Sequence, residues 1–313
     1  DSQVSSLNRL PESILALKSG KVVGTIVEKP VGEAYLKQNP ELEFADVKFN
    51  EEKKPTCIAV PKNSPILLKH LNQTIDEVNN KNLIDKYMNQ AAQDMQDDGN
   101  FFTKYGSFFI KGIKNTILIS LVGVILGSIL GAFIALLKIN KFKPLSWLAS
   151  IYIEFLRGTP MLVQVFIVFF GTTAALGLDV SALICGTIAL IINSSAYIAE
   201  IIRAGINAVD KGQMEAARSL GLNYIQTMKS VIMPQAIKNI LPALGNEFVT
   251  LIKESSIVST IGVGEIMFNA QVVQGISFDP FTPLIVAAVL YFILTFALSR
   301  IMSLVEGRMK ASD

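Results

Sequence analysis

Between Ile117 and Leu137 the chain carries no charged side chain, and a run of that length matches the ~20 apolar residues that cross a bilayer as a helix. A helix on the surface of a water-soluble domain keeps a polar face, so this run excludes a purely soluble fold. Met161 to Leu178, Val180 to Ala199, Ile240 to Ile261 and Phe281 to Ser299 read as further spans, the Ile240 span weakened by Glu247, Lys253 and Glu254. Half of the 313 residues are apolar and only 17% are charged, yet Asp1 to Asn100 is studded with Lys, Glu, Asp and Asn. Two architectures are therefore joined. The fold expected is an all-α polytopic membrane domain of five transmembrane helices preceded by a partial α/β lobe.

The first hundred residues alternate between helical and strand patterns. Helices are expected at Pro11 to Ser19, from Pro30, at Pro65 to Asn79 and at Asn82 to Met95, with strands at Lys21 to Val27, Leu42 to Phe49 and Thr56 to Val60. So few strands bury one modest layer, which suggests part of a larger domain. The polar stretch Gln96 to Asn100 reads as a linker, giving domains at 1–95 and 107–313 with a connection at 96–106. The chain starts at Asp1 without an export signal, so a processed or truncated start is expected. Cys57 and Cys185 form neither a disulfide framework nor a zinc spacing, and the lone His70 supports neither a metal site nor a triad. A net charge of +2 without a basic cluster argues against nucleic acid as a partner.

Orientation follows from the short loops. Lys138, Lys141, Lys143 and Arg157 follow the first span, Arg203, Lys211, Arg218 and Lys229 the third, and Arg300, Arg308 and Lys310 the last, whereas the segments around Leu178 and from Phe268 to Pro280 have no Lys or Arg. By the positive-inside rule the N-terminal domain is outside and the C-terminus is cytoplasmic. Lys104, Lys111 and Lys114 run against it, but a folded domain translocated ahead of them weakens the rule there. Gly123, Gly127 and Gly131 recur on one face of the first span, a spacing that lets helices in lipid approach closely.

Arg203 to Lys238 is too charged to enter a bilayer and is helical by composition, interrupted at Gly212 and Gly221 and stopped at Pro234. One reading is a surface amphipathic helix pair. The other is a docking element: a short helix from Gln213 to Leu220 whose Ala216 and Ala217 admit a partner closely, with Glu215 and Arg218 as polar contacts and Gly221 reversing the chain. Glu215-Ala216-Ala217, three residues, Gly221, nine residues and Val231-Ile232-Met233-Pro234 resemble the EAA signature of ABC importer permeases. Val231 and Met233 replace the commoner Ile and Leu. Arg157-Gly158-Thr159-Pro160 with Gln164, Ala196-Tyr197-Ile198-Ala199-Glu200, Gly212-Gln213 and Lys253-Glu254-Ser255-Ser256 resemble the histidine, glutamine, glutamate and arginine branch of that family.

That resemblance implies a type I importer permease with a five-span core, working in pairs and most simply as a homodimer. It assigns Gly212, Gln213, Glu215, Ala216, Ala217, Gly221 and Pro234 to coupling with a separate ATPase dimer, which would bind ATP and Mg. The chain itself lacks Gly-x4-Gly-Lys-Ser/Thr and needs no cofactor of its own. Leu17 to Lys21, Thr25 to Pro30 and Ile58 to Lys62 resemble the second lobe of amino-acid substrate-binding proteins, with Glu28 where that family holds the ligand α-amino group. Glu28 reads equally as a solvated carboxylate at a strand end.

The implied function is import of a polar amino acid, whose charges cannot enter hydrocarbon unaided. Glu247 and Glu254 lie seven residues apart, hence on one helix face in the membrane zone, and read either as part of the substrate path or as structural partners of Lys253 or a neighbouring helix. A secondary transporter or channel would need no docking loop, and a membrane-anchored receptor would need no such set of spans. Tethering a binding domain raises its concentration at the entrance to the order of millimolar, which favours a Gram-positive envelope without a confined periplasm. Which amino acid is carried is not legible.

Overall fold

A computed structural model describes residues 4, 7, 9–46, 58–87, 90 and 100–310. Backbone contacts divide the chain into two compact units, Val22–Lys104 and a larger body of Asp1–Lys21 with Tyr105–Asp313.

The smaller unit contains α2 (Lys29–Gln38) and α3 (Pro65–Asn80), and the larger body begins with α1 (Leu10–Lys18). All three open on a proline in the first turn, where its fixed φ and missing N–H cost nothing, and the expected helix positions hold to within a residue or two. The expected strands differ. Lys21 to Val27 is bend and irregular chain, residues 42–46 and 58–60 lie outside any strand, and 47–57 are outside the described residues. A strand exists through its ladder with a neighbour. Val22-Val23 and Thr25-Ile26-Val27 have the propensity, but among the described residues no ladder forms. The helix expected from Asn82 is present at 83–87, and most of its remainder and of the linker falls outside the described residues.

The larger body continues with α4 (Phe101–Ile139), α5 (Lys143–Gly158), α6 (Met161–Leu176), α7 (Ala182–Asn207), α8 (Lys211–Ser219), α9 (Tyr224–Thr227), α10 (Met233–Glu254), α11 (Ile266–Ser277) and α12 (Thr282–Lys310). A π turn, Met228–Ile232, leads into α10 and a 3-10 turn, Ser255–Ile261, leaves it. The helices α4, α7 and α12 are each long and apolar enough to cross a membrane alone. At 1.5 Å per residue the 39 residues of α4 extend about 58 Å, well beyond a ~30 Å hydrocarbon layer. Two further segments reach spanning length only as broken pairs: α5 with α6, bent by 107°, and the run from Tyr224 to Ile261 with α11, bent by 49°.

Three expectations are corrected here. The polar segment after the first span is the helix α5, because its charges sit at its ends while Ala149, Ile153 and Leu156 turn inward. The segment from Phe268 to Pro280 is mostly α11, which runs through Gly275 to Ser277 because no proline interrupts it before Pro280. Pro234 does not stop its helix: it falls in the first turn of α10, directly after the π turn, where an N–H is dispensable.

The glycines of α4 face α7. A Cβ on Gly131 would stand 2.8 Å from Ser195 O, and one on Gly127 would stand 3.1 Å from Ser194 Oγ. Dispersion between such closely set backbones holds helices together where lipid removes the hydrophobic driving force. The same device joins α4 to α11, with Gly112 against Ile266 Cα at 2.8 Å, and α7 to α10, with Gly205 against Ile240 Cγ1 at 2.4 Å. Val165, Leu190, Leu251 and Val258 form one fully buried cluster, and Ala135, Ala149, Ile153, Ala196 and Ala199 another. Ile125, Ile129, Phe133 and Leu136 of α4 and Phe292 and Phe296 of α12 face outward, an apolar surface suited to lipid or to another protein.

Candidate functional site

Between α7 and α10 the chain leaves the helical bundle as a polar-capped hairpin. The Asp210 carboxylate accepts the Gly212 N–H at 2.6 Å and starts α8. The helix closes in a Schellman motif: Leu222 N–H donates to Ala217 O at 3.2 Å and Gly221 N–H to Arg218 O at 3.1 Å. Gly221 adopts φ +89°, a left-handed conformation that L side chains resist. Arg218 is engaged in the same turn, donating from Nη1 to Leu222 O at 3.0 Å. Asn223 and Gln226 then form a reciprocal capping box that starts α9.

This scaffold sorts the predicted coupling residues. Gly212, Gln213, Glu215 and Ala216 are exposed along α8, whereas Ala217 turns inward and Pro234 lies apart from them at the start of α10. Beside them are Leu220, 85% exposed, and Ile225, 75% exposed, which sequence inspection did not single out. Two large apolar side chains are thus held out in solvent by caps and a left-handed glycine.

At the end of α7 that bears this hairpin, Glu200 joins two cations. Lys138 of α4 donates to its Oε2 at 3.0 Å, and Arg203 donates through Nε to its Oε1 at 2.9 Å and through Nη2. Arg157 of α5 lies over the Tyr197 ring at 5.4 Å, and the Tyr152 hydroxyl meets Ser195 Oγ at 2.8 Å.

The bend between α5 and α6 is tied from within. Gln164 Nε2 donates to Leu156 O at 2.7 Å and to Thr159 Oγ1 at 2.9 Å, while its Oε1 accepts Asn193 Nδ2 at 3.0 Å. Further in, Glu247 is buried on α10. Ser120 Oγ, Asn193 Oδ1 and Ser194 Oγ are buried without a hydrogen-bond partner among the described residues. Glu254 is half-buried at the end of α10 beside exposed Lys253. Glu247 and Glu254 thus lie seven residues apart on the one helix α10.

Sequence alone does not mark a further buried carboxylate. Glu265 is fully buried, caps α11 by accepting Phe268 N–H and accepts the Tyr291 hydroxyl. The available signal was an acidic residue directly before an apolar helical run. Tyr291 also borders a groove of about 530 Å³ between α6, the 3-10 turn, α11 and α12, lined by Leu162, Ser256, Ile257, Met267 and Gln271 among others. In the smaller unit, Glu28 is exposed at the N-cap of α2, where its side chain makes no capping bond.

Residues 123–311 match the family model of the binding-protein-dependent transport system inner membrane component. Over 206 residues the chain is 44% identical to the arginine transport system permease protein ArtQ of Bacillus subtilis (strain 168), covering 66% of this chain and 94% of that one. The putative glutamine transport system permease protein GlnP of Rickettsia bellii (strain RML369-C) is 42% identical over 205 residues, again 66% of this chain and 94% of the relative. A crystal structure of an amino acid ABC transporter with histidines superposes with a TM-score of 0.64 at 48% identity, over 67% of this chain and 99% of that one. An inward-facing MetNI methionine ABC transporter shares the fold at 18% identity and a TM-score of 0.57.

Proposed function

Because this chain belongs to the family of binding-protein-dependent transport system inner membrane components, and so is the permease subunit of an ABC importer, we propose that it moves a polar amino acid into the cell. The observation that carries the coupling half of this reading is the α8 hairpin, with Glu215, Ala216, Leu220 and Ile225 exposed on a rigid, capped projection. A hydrolysing partner bound there would pull on α7 and α10, the two helices that flank the hairpin. Gly212, Gln213 and Glu215 would make its polar contacts, and Ala216 would allow close approach. Ala217, Gly221 and Pro234 would shape the projection from within. The partner dimer would hold ATP and Mg.

In this reading five spans arise from three unbroken helices and two broken pairs, with the α8 hairpin on the cytoplasmic side and the N-terminal domain outside. A second copy of the chain would complete the path, and its binding would cover part of the outward apolar surface. Glu247 and Glu254 would line that path and meet the α-amino group or a cationic side chain of the cargo. The arginine and glutamine systems to which ArtQ and GlnP belong support this substrate class. Residues 1–95 would be the C-terminal part of a binding-protein lobe, with Glu28 at its ligand, tethered to its permease as suits a Gram-positive envelope.

Co-expression with the ATPase subunit tests the reading. The wild-type chain should retain the ATPase through detergent purification, and Leu220→Asp or Gly221→Val should lose it while the permease stays folded. Retention undiminished in both variants would refute docking at this hairpin.

A further inference from the structure

We propose that Glu200 is a positioning residue for energy coupling: by holding Lys138 it makes α4 move as one body with the end of α7 that carries the α8 hairpin. The inference rests on the docking reading above and adds to it the joint through which hairpin motion enters the bundle.

Glu200 lies seven residues before the end of α7, about 10 Å from it along the helix axis. Toward the membrane interior, α4 and α7 are held by backbone proximity at Gly127 and Gly131. Beyond Gly131, Ala135 packs in a buried cluster with Ala196 and Ala199, and at the end of α4 Lys138 Nζ meets Glu200 Oε2 at 3.0 Å. Lys138 is the penultimate residue of α4, so the ion pair fixes the free end of a 39-residue helix. From the same residue, Lys138 O accepts Ser146 Oγ at 2.8 Å, which passes the constraint on to α5. On its other side α7 is wedged against α10, where Gly205 meets Ile240 and Ala236 is fully buried. The hairpin therefore hangs between two helices in close apolar contact, and Glu200 adds a directional polar tie to the last turn of α4.

Half-exposed ion pairs contribute little to stability, typically about 0–1 kcal/mol, because water competes for both partners. With side-chain exposures of 20–36% across Lys138, Glu200 and Arg203, this cluster falls in that class. Its direction is well fixed all the same, since one carboxylate is pinned by Arg203 within its own helix and presents its second oxygen to α4. A contact with weak energy and defined geometry suits a joint that sets register, and it can be lost without unfolding the body.

The test uses the full chain reconstituted with its ATPase in lipid vesicles, reading amino acid transported per ATP hydrolysed. Glu200→Gln keeps an acceptor for Arg203 and weakens the hold on Lys138. Basal hydrolysis, ATPase retention and thermal midpoint should stay near wild type, while the transport-to-hydrolysis ratio falls about fivefold, the lower end of measured coupling effects. The exchange Lys138→Glu with Glu200→Lys should recover at least half of the lost ratio, and Lys138→Glu alone should not. An unchanged ratio in Glu200→Gln, or a thermal midpoint that falls in step with the ratio, would overturn the proposal. If the wild-type chain fails to bind an ATPase at all, it is the docking reading that falls.

Discussion

Asn193 donates from Nδ2 to Gln164 Oε1 at 3.0 Å, and through that bond the 107° bend between α5 and α6 is fastened to α7. Helix breaks in a membrane survive only where freed backbone groups find partners. Here the side chain of Gln164 supplies them, reaching back across the break to Leu156 O and Thr159 O. Gln164→Leu should strand those carbonyls and the Asn193 amide. Leaving buried groups unpaired costs about 1–3 kcal/mol. At about 2–4 °C per kcal/mol for a body of this size, the thermal midpoint of the purified chain should drop by several degrees. Gln164→Glu, which keeps the acceptor and loses the donor, should fall between wild type and Gln164→Leu.

The close approach of α4 and α7 gives a steric prediction. A side chain at Gly131 meets Ser195 O and Ile198 Cβ within 2.9 Å, so Gly131→Val forces the helices apart and should lower the yield of folded, monodisperse protein in size-exclusion chromatography. Gly106→Ala, where a new methyl meets nothing within 4 Å, serves as the control. It should be neutral or stabilising by about 0.5–1 kcal/mol, because alanine costs less than glycine inside a helix.

Asp279 predicts a pH dependence. In the loop before α12, burial raises its carboxyl pKa, but bonds from Thr282 and the Phe281 and Thr282 N–H groups, with the Lys18 charge, together bring it below the ordinary value of 3.8. A depressed native pKa contributes stability that is complete above the unfolded value and is lost as pH falls through the folded one. Asp279→Ala should therefore cost about 1 kcal/mol near neutrality, as for other lost caps. The difference between variant and wild-type thermal midpoints should shrink as pH is taken below about 4. A difference independent of pH would contradict the capping account.

The membrane helices were largely legible because uncharged runs leave few alternatives, and α4, α7 and α12 cover the spans read from Ile117, Val180 and Phe281. The bend at Thr159 and Pro160 was not, since Arg157-Gly158-Thr159-Pro160 reads as a loop until Gln164 and Asn193 are seen to satisfy it. The extent of α4 back to Phe101 was hidden by Lys104, Lys111 and Lys114, which end an apolar window without ending a helix. At the α8 hairpin the chemistry was local and so readable: Gly221 reverses the chain as expected. Leu220 and Ile225 were passed over because an exposed leucine cannot be told from a buried one without the fold. Glu265 needed tertiary partners, Phe268 and Tyr291, to stand out. The strands expected before Val60 do not form among the described residues for the complementary reason, since strand pairing is non-local.

Glu247 carries a prediction about cargo. Glu247→Gln preserves size and hydrogen-bonding capacity while removing the charge, so assembly with the ATPase and basal hydrolysis should persist. Uptake of a cationic amino acid should fall about tenfold or more, the effect of losing one buried charge contact worth 1.4 kcal/mol. Uptake equal to wild type with normal ATP hydrolysis would remove Glu247 from the path.

The most direct test is uptake into vesicles that contain this chain and its ATPase, with ATP supplied on the hairpin side and a panel of polar amino acids on the other. Accumulation of one or more of them against a gradient, strictly dependent on ATP and abolished when the ATPase is left out, is the result predicted. Uptake that proceeds without ATP or ATPase, driven by an ion gradient alone, would contradict it.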